Sequence, residues 1–237
     1  MRWFDIGRTS MYKTYVMHYT PLKDRREFIN QQLLIQGISD AEFITEFDRE
    51  DLTEQDLSRY NKDNDLQIEV SAISRTPHGF VRGSRYRYKE MSRASVSLNL
   101  KHLEAFKRFL DQDLDFGLFL EDDCRFISST KIETVIEEAP TNWDVIFIGG
   151  QFGHGLITPI SVVRESYILA QHPSTNTTSS VIYNKNSVRK FLPYVESFCL
   201  PIDWQLNYAF HKANLNVYHT YPYLCTQGDF RSTAKDE

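Results

Sequence analysis

At 237 residues the chain has room for one large α/β domain or two small ones, and a hydrophobic fraction of 41% is enough for a sizeable core. A formal net charge of −5 argues against wholesale nucleic-acid binding, and no segment approaches the apolar length of a membrane span. Cys124, Cys199 and Cys225 lack C-x-x-C spacing, so neither a zinc site nor a disulfide framework is indicated. With no signal-peptide core near Met1, the expected location is the cytoplasm.

Residues 1–10 read as an N-terminal extension and 11–237 as one domain. Tyr12 to Tyr19 reads as a strand, Thr20-Pro21 as a helix start, and the helix runs to about Ile35 before Gly37 stops it. Ala41 to Phe47 supplies a second strand, and a strand, a helix and a strand in this order predict a right-handed crossover with parallel strands. Ligands in open α/β sheets sit at the carboxyl ends of strands, which is where Thr20 falls. Arg25 and Arg26 lie one turn into the helix, placed either to clamp phosphate or to pair with Asp24 and Glu27 on a solvated face.

Asp51 to Tyr60 reads as a short helix. Arg82, Arg85, Arg87, Lys89 and Arg93 alternate with Tyr86 and Tyr88, a pattern for a plain solvated loop, for a loop beside an anionic substrate, or, less in keeping with an acidic chain, for a nucleic-acid backbone. Leu100, Leu103, Phe106 and Leu110 stripe a helix over Ser97 to Leu110, with His102 beside the stripe. That helix feeds Phe116-Gly-Leu-Phe-Leu, a run apolar enough for a strand buried on both faces, which stops on Glu121, Asp122 and Asp123. Three adjacent carboxylates repel one another, and burial raises that cost unless a cation is present. Carboxylate, water and phosphate oxygens are the ligands Mg²⁺ or Mn²⁺ prefers, so the motif reads as a metal and diphosphate site, with a solvated acidic turn as the alternative.

Beyond it, Lys131 to Ala139 predicts a helix and Trp143 to Ile148 a buried strand ending in Gly149-Gly150. Tyr167 to Ala170 and Ser179 to Tyr183 predict two strands, joined by a hydroxyl-rich Ser174 to Thr178 run that could donate to a substrate. Lys185 to Tyr194 predicts a helix, and Pro201-Ile202-Asp203-Trp204 opens another that continues to about Lys212, with Asp203 at its start as an N-cap or a functional carboxylate. Asn216 to Leu224 predicts a last strand carrying His219.

These pieces in this order resemble glycosyltransferase family 25, which holds bacterial lipooligosaccharide galactosyltransferases and collagen galactosyltransferases. The resemblance spans about Tyr12 to Ser232. It is carried by Tyr15-Val16-Met17-His18-Tyr19 with Lys23-Asp24-Arg25-Arg26, Leu100-Lys101-His102, Leu120-Glu121-Asp122-Asp123, Trp143-Asp144-Val145-Ile146-Phe147-Ile148-Gly149, Pro201-Ile202-Asp203-Trp204 and Pro222-Tyr223-Leu224 with Gln227. It implies a single-domain α/β fold of the GT-A nucleotide-diphospho-sugar transferase type, a mixed, mostly parallel sheet with helices on both faces. It also implies Mn²⁺ or Mg²⁺ as cofactor and transfer of a sugar such as galactose, with inversion, from a UDP-sugar to a glycan, lipid-linked or protein-linked acceptor.

On that reading Asp123 is the direct metal ligand with Glu121 as helper, since residues i and i+2 of an extended backbone face one side. His219 completes the shell or is a solvent-facing strand histidine. Asp122 faces the sugar or ribose, and Thr20, Arg25, Arg26 and His102 contribute to nucleotide-sugar binding. Asp203 is the base that takes the acceptor's proton. The alternative for the whole chain is a sugar- or nucleotide-binding module of the same fold without turnover.

Overall fold

The computed structural model describes residues 11–60, 74–76, 79–81, 91–150, 159–164, 166–175, 177–228 and 230. In chain order its elements are β1 (Tyr12–Met17), α1 (Lys23–Gln36), β2 (Glu42–Ile44), α2 (Glu54–Leu57), β3 (Ser74–Thr76), β4 (Gly79–Val81), α3 (Arg93–Asp111), β5 (Phe116–Glu121) and β6 (Cys124–Phe126). There follow α4 (Ile132–Glu138), β7 (Val145–Phe147), β8 (Pro159–Arg164), β9 (Tyr167–Ala170), β10 (Ser180–Asn184), α5 (Lys185–Phe191), α6 (Ile202–Lys212), β11 (Val217–Thr220) and β12 (Cys225–Gln227).

Strands alternate their side chains between two faces, and here both faces are apolar. On one face Tyr12 and Val16 of β1, Leu118 and Leu120 of β5, Ile146 of β7 and Ile182 of β10 pack against Ile29 and Leu33 of α1 and against Ile132, Val135 and Ile136 of α4. On the other, Tyr15, Phe119, Phe147, Val181 and Tyr183 meet Phe106 and Phe109 of α3, Val188 and Phe191 of α5, and Leu206 and Phe210 of α6. Helices thus cover both faces, as the unbroken apolar runs require.

The main sheet has the order β2-β1-β5-β10-β7-β11-β9-β8. The pairs β1–β2, β1–β5 and β7–β11 are parallel, while β5–β10, β10–β7, β11–β9 and β9–β8 are antiparallel. Strands β2, β1, β5, β7, β11 and β8 therefore run one way and only β10 and β9 the other: a mixed, mostly parallel α/β sheet, as expected. The parallel β1–α1–β2 crossover holds as well.

Several boundaries differ from the sequence reading. Helix α1 opens at Lys23 rather than Thr20, because the chain first makes a turn in which the Leu22 amide donates to the Tyr19 carbonyl. Helix α3 starts four residues before Ser97, where the Ser92 side chain accepts the Ser95 amide as N-cap. The expected last strand, Asn216 to Leu224, ends early, at Thr220, as β11, and a separate β12 begins at Cys225, past the expected bounds. β11 stays in the main sheet, while β12 leaves it to pair antiparallel with β6, directly behind the acidic motif. Gly149 allows that departure: a Cβ there would sit 2.0 Å from Ser180 Oγ and 3.1 Å from Cys225 Cβ. The group that closely approaches the two glycines is the chain itself, with the Tyr223 ring against Gly150.

Candidate active site

The parallel register of β1 and β5 places Met17 opposite Glu121, so His18 and Tyr19 end beside the acidic motif. Asp122 turns into this junction and is buried. Its Oδ2 accepts hydrogen bonds from His18 Nδ1 at 2.8 Å and the Tyr19 amide at 3.3 Å, and its Oδ1 accepts one from Arg25 Nη1 at 3.1 Å. Asp122 thus fastens the start of α1 to the end of β5, and the structure shows it bonded to protein rather than turned to a sugar or ribose.

Thr20 also differs from expectation. Its amide and its hydroxyl both donate to Asp48, whose other oxygen accepts from Lys101 Nζ at 2.8 Å. The same ammonium donates to the Glu46 carbonyl at 2.6 Å. Lys101 and Asp48 are both buried. Burial lowers the Lys101 pKa, against the pull of Asp48. Sequence reasoning missed this pair, although Lys101 stands in Leu100-Lys-His-Leu103 on an apolar helix, where a lysine demands an anionic partner. Arg26 lays its guanidinium 3.2 Å from the centre of the Phe43 ring. The basic stretch at 82–90 lies outside the described residues.

Glu121 closes β5 with its Oε1 accepting from Thr178 Oγ1 at 2.5 Å. Behind it stands His102, fully buried, with Nε2 3.8 Å from Glu121 Oε1 and no hydrogen-bond partner at either ring nitrogen. Asp123 is held less well than Asp122: its Oδ1 is buried without a partner, and Arg25 Nη1 stands 3.8 Å from its Oδ2. Burial first, and then the neighbouring Glu121, push its carboxyl up to about 7.

Asp203 is the second residue of α6 rather than its N-cap, and its carboxylate accepts the Trp204 amide at 2.9 Å. Burial pushes it up to about 6; the Trp204 hydrogen bond opposes that shift and the charge of Glu121 adds to it. Sequence positions more than eighty residues apart thus share one electrostatic environment.

His219 does not join them. It is buried, which corrects the solvent-facing alternative, and its Nε2–H donates to the Ser174 carbonyl at 2.7 Å while its ring stacks on Phe147 at 4.9 Å. Burial pulls its pKa down to about 4. Strands β10 and β7 lie between β11 and β5, so roughly 14 Å of sheet separate it from the acidic strand. Among the described residues no cluster of three or more His, Cys, Asp and Glu side chains is arranged to hold a metal. Nor do the hydroxyls of 174–178 wait for a substrate: Ser174 Oγ donates to Asn207 and Thr175 Oγ1 to the Thr177 carbonyl, all buried.

A cleft enclosing about 580 Å³, part of it open to solvent, lies between His18 and Tyr19, Ser97 and Lys101 of α3, and Glu121 and Asp122. It occupies the carboxyl edge of β1 and β5, where open α/β sheets bind ligands. The acids beside it suit a hard divalent cation. The unpartnered Asp123 oxygen and the mutual repulsion of Asp123 and Glu121 leave negative charge uncompensated, and Mg²⁺ or Mn²⁺ is commonly bound by one or two carboxylates, with water and phosphate completing the shell. The described residues contain no helix long and apolar enough to cross a membrane.

No family model matches the chain, and no curated protein matches it. Solved structures of similar shape include a glycosyltransferase involved in glycosylation of the major capsid of PBCV-1, at TM-score 0.46 and 11% identity over 93% of this chain and 94% of that one. Another is a mutant Drosophila beta-1,4-galactosyltransferase 7 in complex with manganese, UDP-Gal and xylobiose, at TM-score 0.41 and 11% identity over 92% of this chain and 68% of that one. A third is the 4-diphosphocytidyl-2C-methyl-D-erythritol synthase of Anaerococcus prevotii, at TM-score 0.39 and 14% identity over 90% and 91%. All three likenesses lie below a TM-score of 0.5, and none by itself assigns chemistry to this chain.

Proposed function

We propose that this protein is a metal-dependent glycosyltransferase of the GT-A type, moving a sugar with inversion from a nucleotide-diphospho-sugar to a glycan or glycoconjugate acceptor. The observation that carries the reading is the acid end of β5: Glu121 lines the cleft, Asp123 two residues on keeps a buried oxygen without a partner, and the charge of Glu121 helps burial raise both Asp123 and Asp203. Glu121 and Asp123 would hold Mn²⁺ or Mg²⁺. The bound ion would neutralise the departing diphosphate, Lewis-acid help that contributes several kcal/mol.

The remaining work falls to the chain's own groups. The cleft between Tyr19 and α3 takes the nucleoside, a UDP-sugar being the donor that the family resemblance implies, with galactose as the sugar. Asp203 accepts the proton of the attacking acceptor hydroxyl, a role that contributes about 10²- to 10⁴-fold in rate. Its raised pKa favours this, because a base that titrates near working pH holds a proton more strongly than an ordinary carboxylate. Cys124 and Cys225, both buried free thiols, suit a reducing compartment such as the cytoplasm.

Thermal unfolding against a panel of nucleotide sugars, with and without Mn²⁺, tests the reading. A ligand at 100 times its Kd stabilises by about 2.7 kcal/mol. Asp123→Ala should abolish the Mn²⁺-dependent shift and all donor hydrolysis, whereas Asp203→Asn should keep the shift and lose transfer. Equal loss of donor affinity in both variants contradicts this division. A shift without any donor hydrolysis in the unaltered protein would favour the non-catalytic binding module.

A further inference from the structure

Residues 174–175 and 177–179 connect two parts of the site that no single element spans. At one end the Thr178 hydroxyl donates to Glu121 Oε1 at 2.5 Å, and the Glu121 amide donates to the Ser179 carbonyl at 2.9 Å. At the other end the segment is clamped by the carboxamide of Asn207, which is fully buried on the inward side of α6. Asn207 Oδ1 accepts from the Ser174 amide at 2.7 Å, the Ser174 hydroxyl at 3.1 Å and the Thr175 amide at 3.1 Å. Its Nδ2 donates to the Thr175 carbonyl at 2.5 Å and to the Asp203 carbonyl at 3.1 Å. His219 supplies the third anchor through the Ser174 carbonyl.

One side chain one helical turn beyond Asp203 therefore grips both the residue carrying the base and the loop whose hydroxyl orients the acid on β5. Five hydrogen bonds on a single buried carboxamide exceed what is needed to satisfy its own polarity. They leave the loop no freedom to shift without breaking several bonds at once.

We infer that Asn207, helped by His219, is a positioning residue: through Ser174, Thr175 and Thr178 it sets the orientation of Glu121 toward the cation, and through the Asp203 carbonyl it ties that setting to the start of α6. The inference rests on the metal reading above and goes beyond it by assigning the cation's grip in part to a residue of α6 that acts through residues 174–175 and 177–178. Groups that orient metal ligands in this way typically change metal affinity by about 10- to 100-fold when removed.

A double-mutant cycle read out as Mn²⁺ affinity, with the metal alone and no sugar nucleotide, tests it. Asn207→Ser and Thr178→Val should each weaken Mn²⁺ binding by about tenfold or more. Adding Asn207→Ser to Thr178→Val should weaken it little further, because Asn207 acts through the bond already lost. A purely structural role predicts independent losses that multiply, and that result overturns the positioning role while leaving the metal site standing. Absence of Mn²⁺ binding in the unaltered protein defeats both. Should Asn207→Ser fail to fold, His219→Gln loosens the same segment and takes its place in the cycle, with the same two outcomes.

Discussion

Asp122 and Asp123 are chain neighbours with the same side chain, yet their surroundings give them opposite tasks. Arg25, His18 and the Tyr19 amide saturate Asp122, whereas Asp123 keeps a buried oxygen without a partner. A carboxylate already holding a guanidinium and an imidazole has little left for a metal; its neighbour has excess charge to be met. Asp203 sets the pH dependence on the proposed mechanism. As a base it must be deprotonated, and its acid form persists up to about 6. Turnover at saturating substrate should rise with pH, levelling above about 6, and a pH–rate profile checks this. A flat profile from pH 5 to 8 would remove Asp203 from the role of base.

Among the elements, α3 has the most demanding placement. It covers one face of the sheet with Leu103, Phe106 and Phe109, and on its inner side it carries Lys101 and His102 into the space behind the strand ends. The Lys101–Asp48 pair joins α3 to the loop after β2, and Asp48 in turn holds Thr20 after β1. Three chain segments thus meet on one buried carboxylate at the rim of the cleft. Replacing Lys101 by Met leaves Asp48 buried without its cation, which should cost about 3–5 kcal/mol. Combining it with Asp48→Asn should recover part of that loss, because the uncompensated charge is gone. Urea unfolding of the two variants decides it; a loss under 1 kcal/mol for Lys101→Met would show that the pair is better solvated than its burial indicates. The second element of note is the β6–β12 pair, which backs the acidic turn and ties it to the chain after β11, with the Gly228 amide donating to the Asp123 carbonyl at 2.7 Å.

At the scale of the whole molecule, the acid cluster makes the metal-free protein sensitive to pH. Asp123 titrates higher when folded, about 7, than its ordinary value of 3.8. Between those values the folded state binds more protons than the unfolded one, so this group's contribution to stability falls as pH rises from about 4 to about 7. We expect metal-free protein to lose on the order of 1–3 kcal/mol from this source across that window. Mn²⁺ should restore it, so the Mn²⁺-induced rise in Tm should be larger at pH 8 than at pH 5, and Asp123→Asn should flatten the difference. An equal rise at both pH values would place the ion elsewhere.

The two-faced sheet was legible from the chain alone, because strands apolar on every residue, such as 118–120 and 145–147, can only be covered on both sides. The acidic strand end and Asp203 at the head of a helix were legible for a similar reason: charge placed against apolar sequence must serve a purpose or be compensated. Which acid is compensated was not legible. It depends on Arg25 and His18 arriving at Asp122 from about a hundred residues earlier in the chain, on Asp48 meeting Lys101, and on two intervening strands that keep His219 away from Glu121. Local pattern determines which residues must be buried and which face they take. Only the tertiary arrangement decides which buried charges find partners, because those partners are brought together by the order of strands in the sheet and not by their order in the sequence.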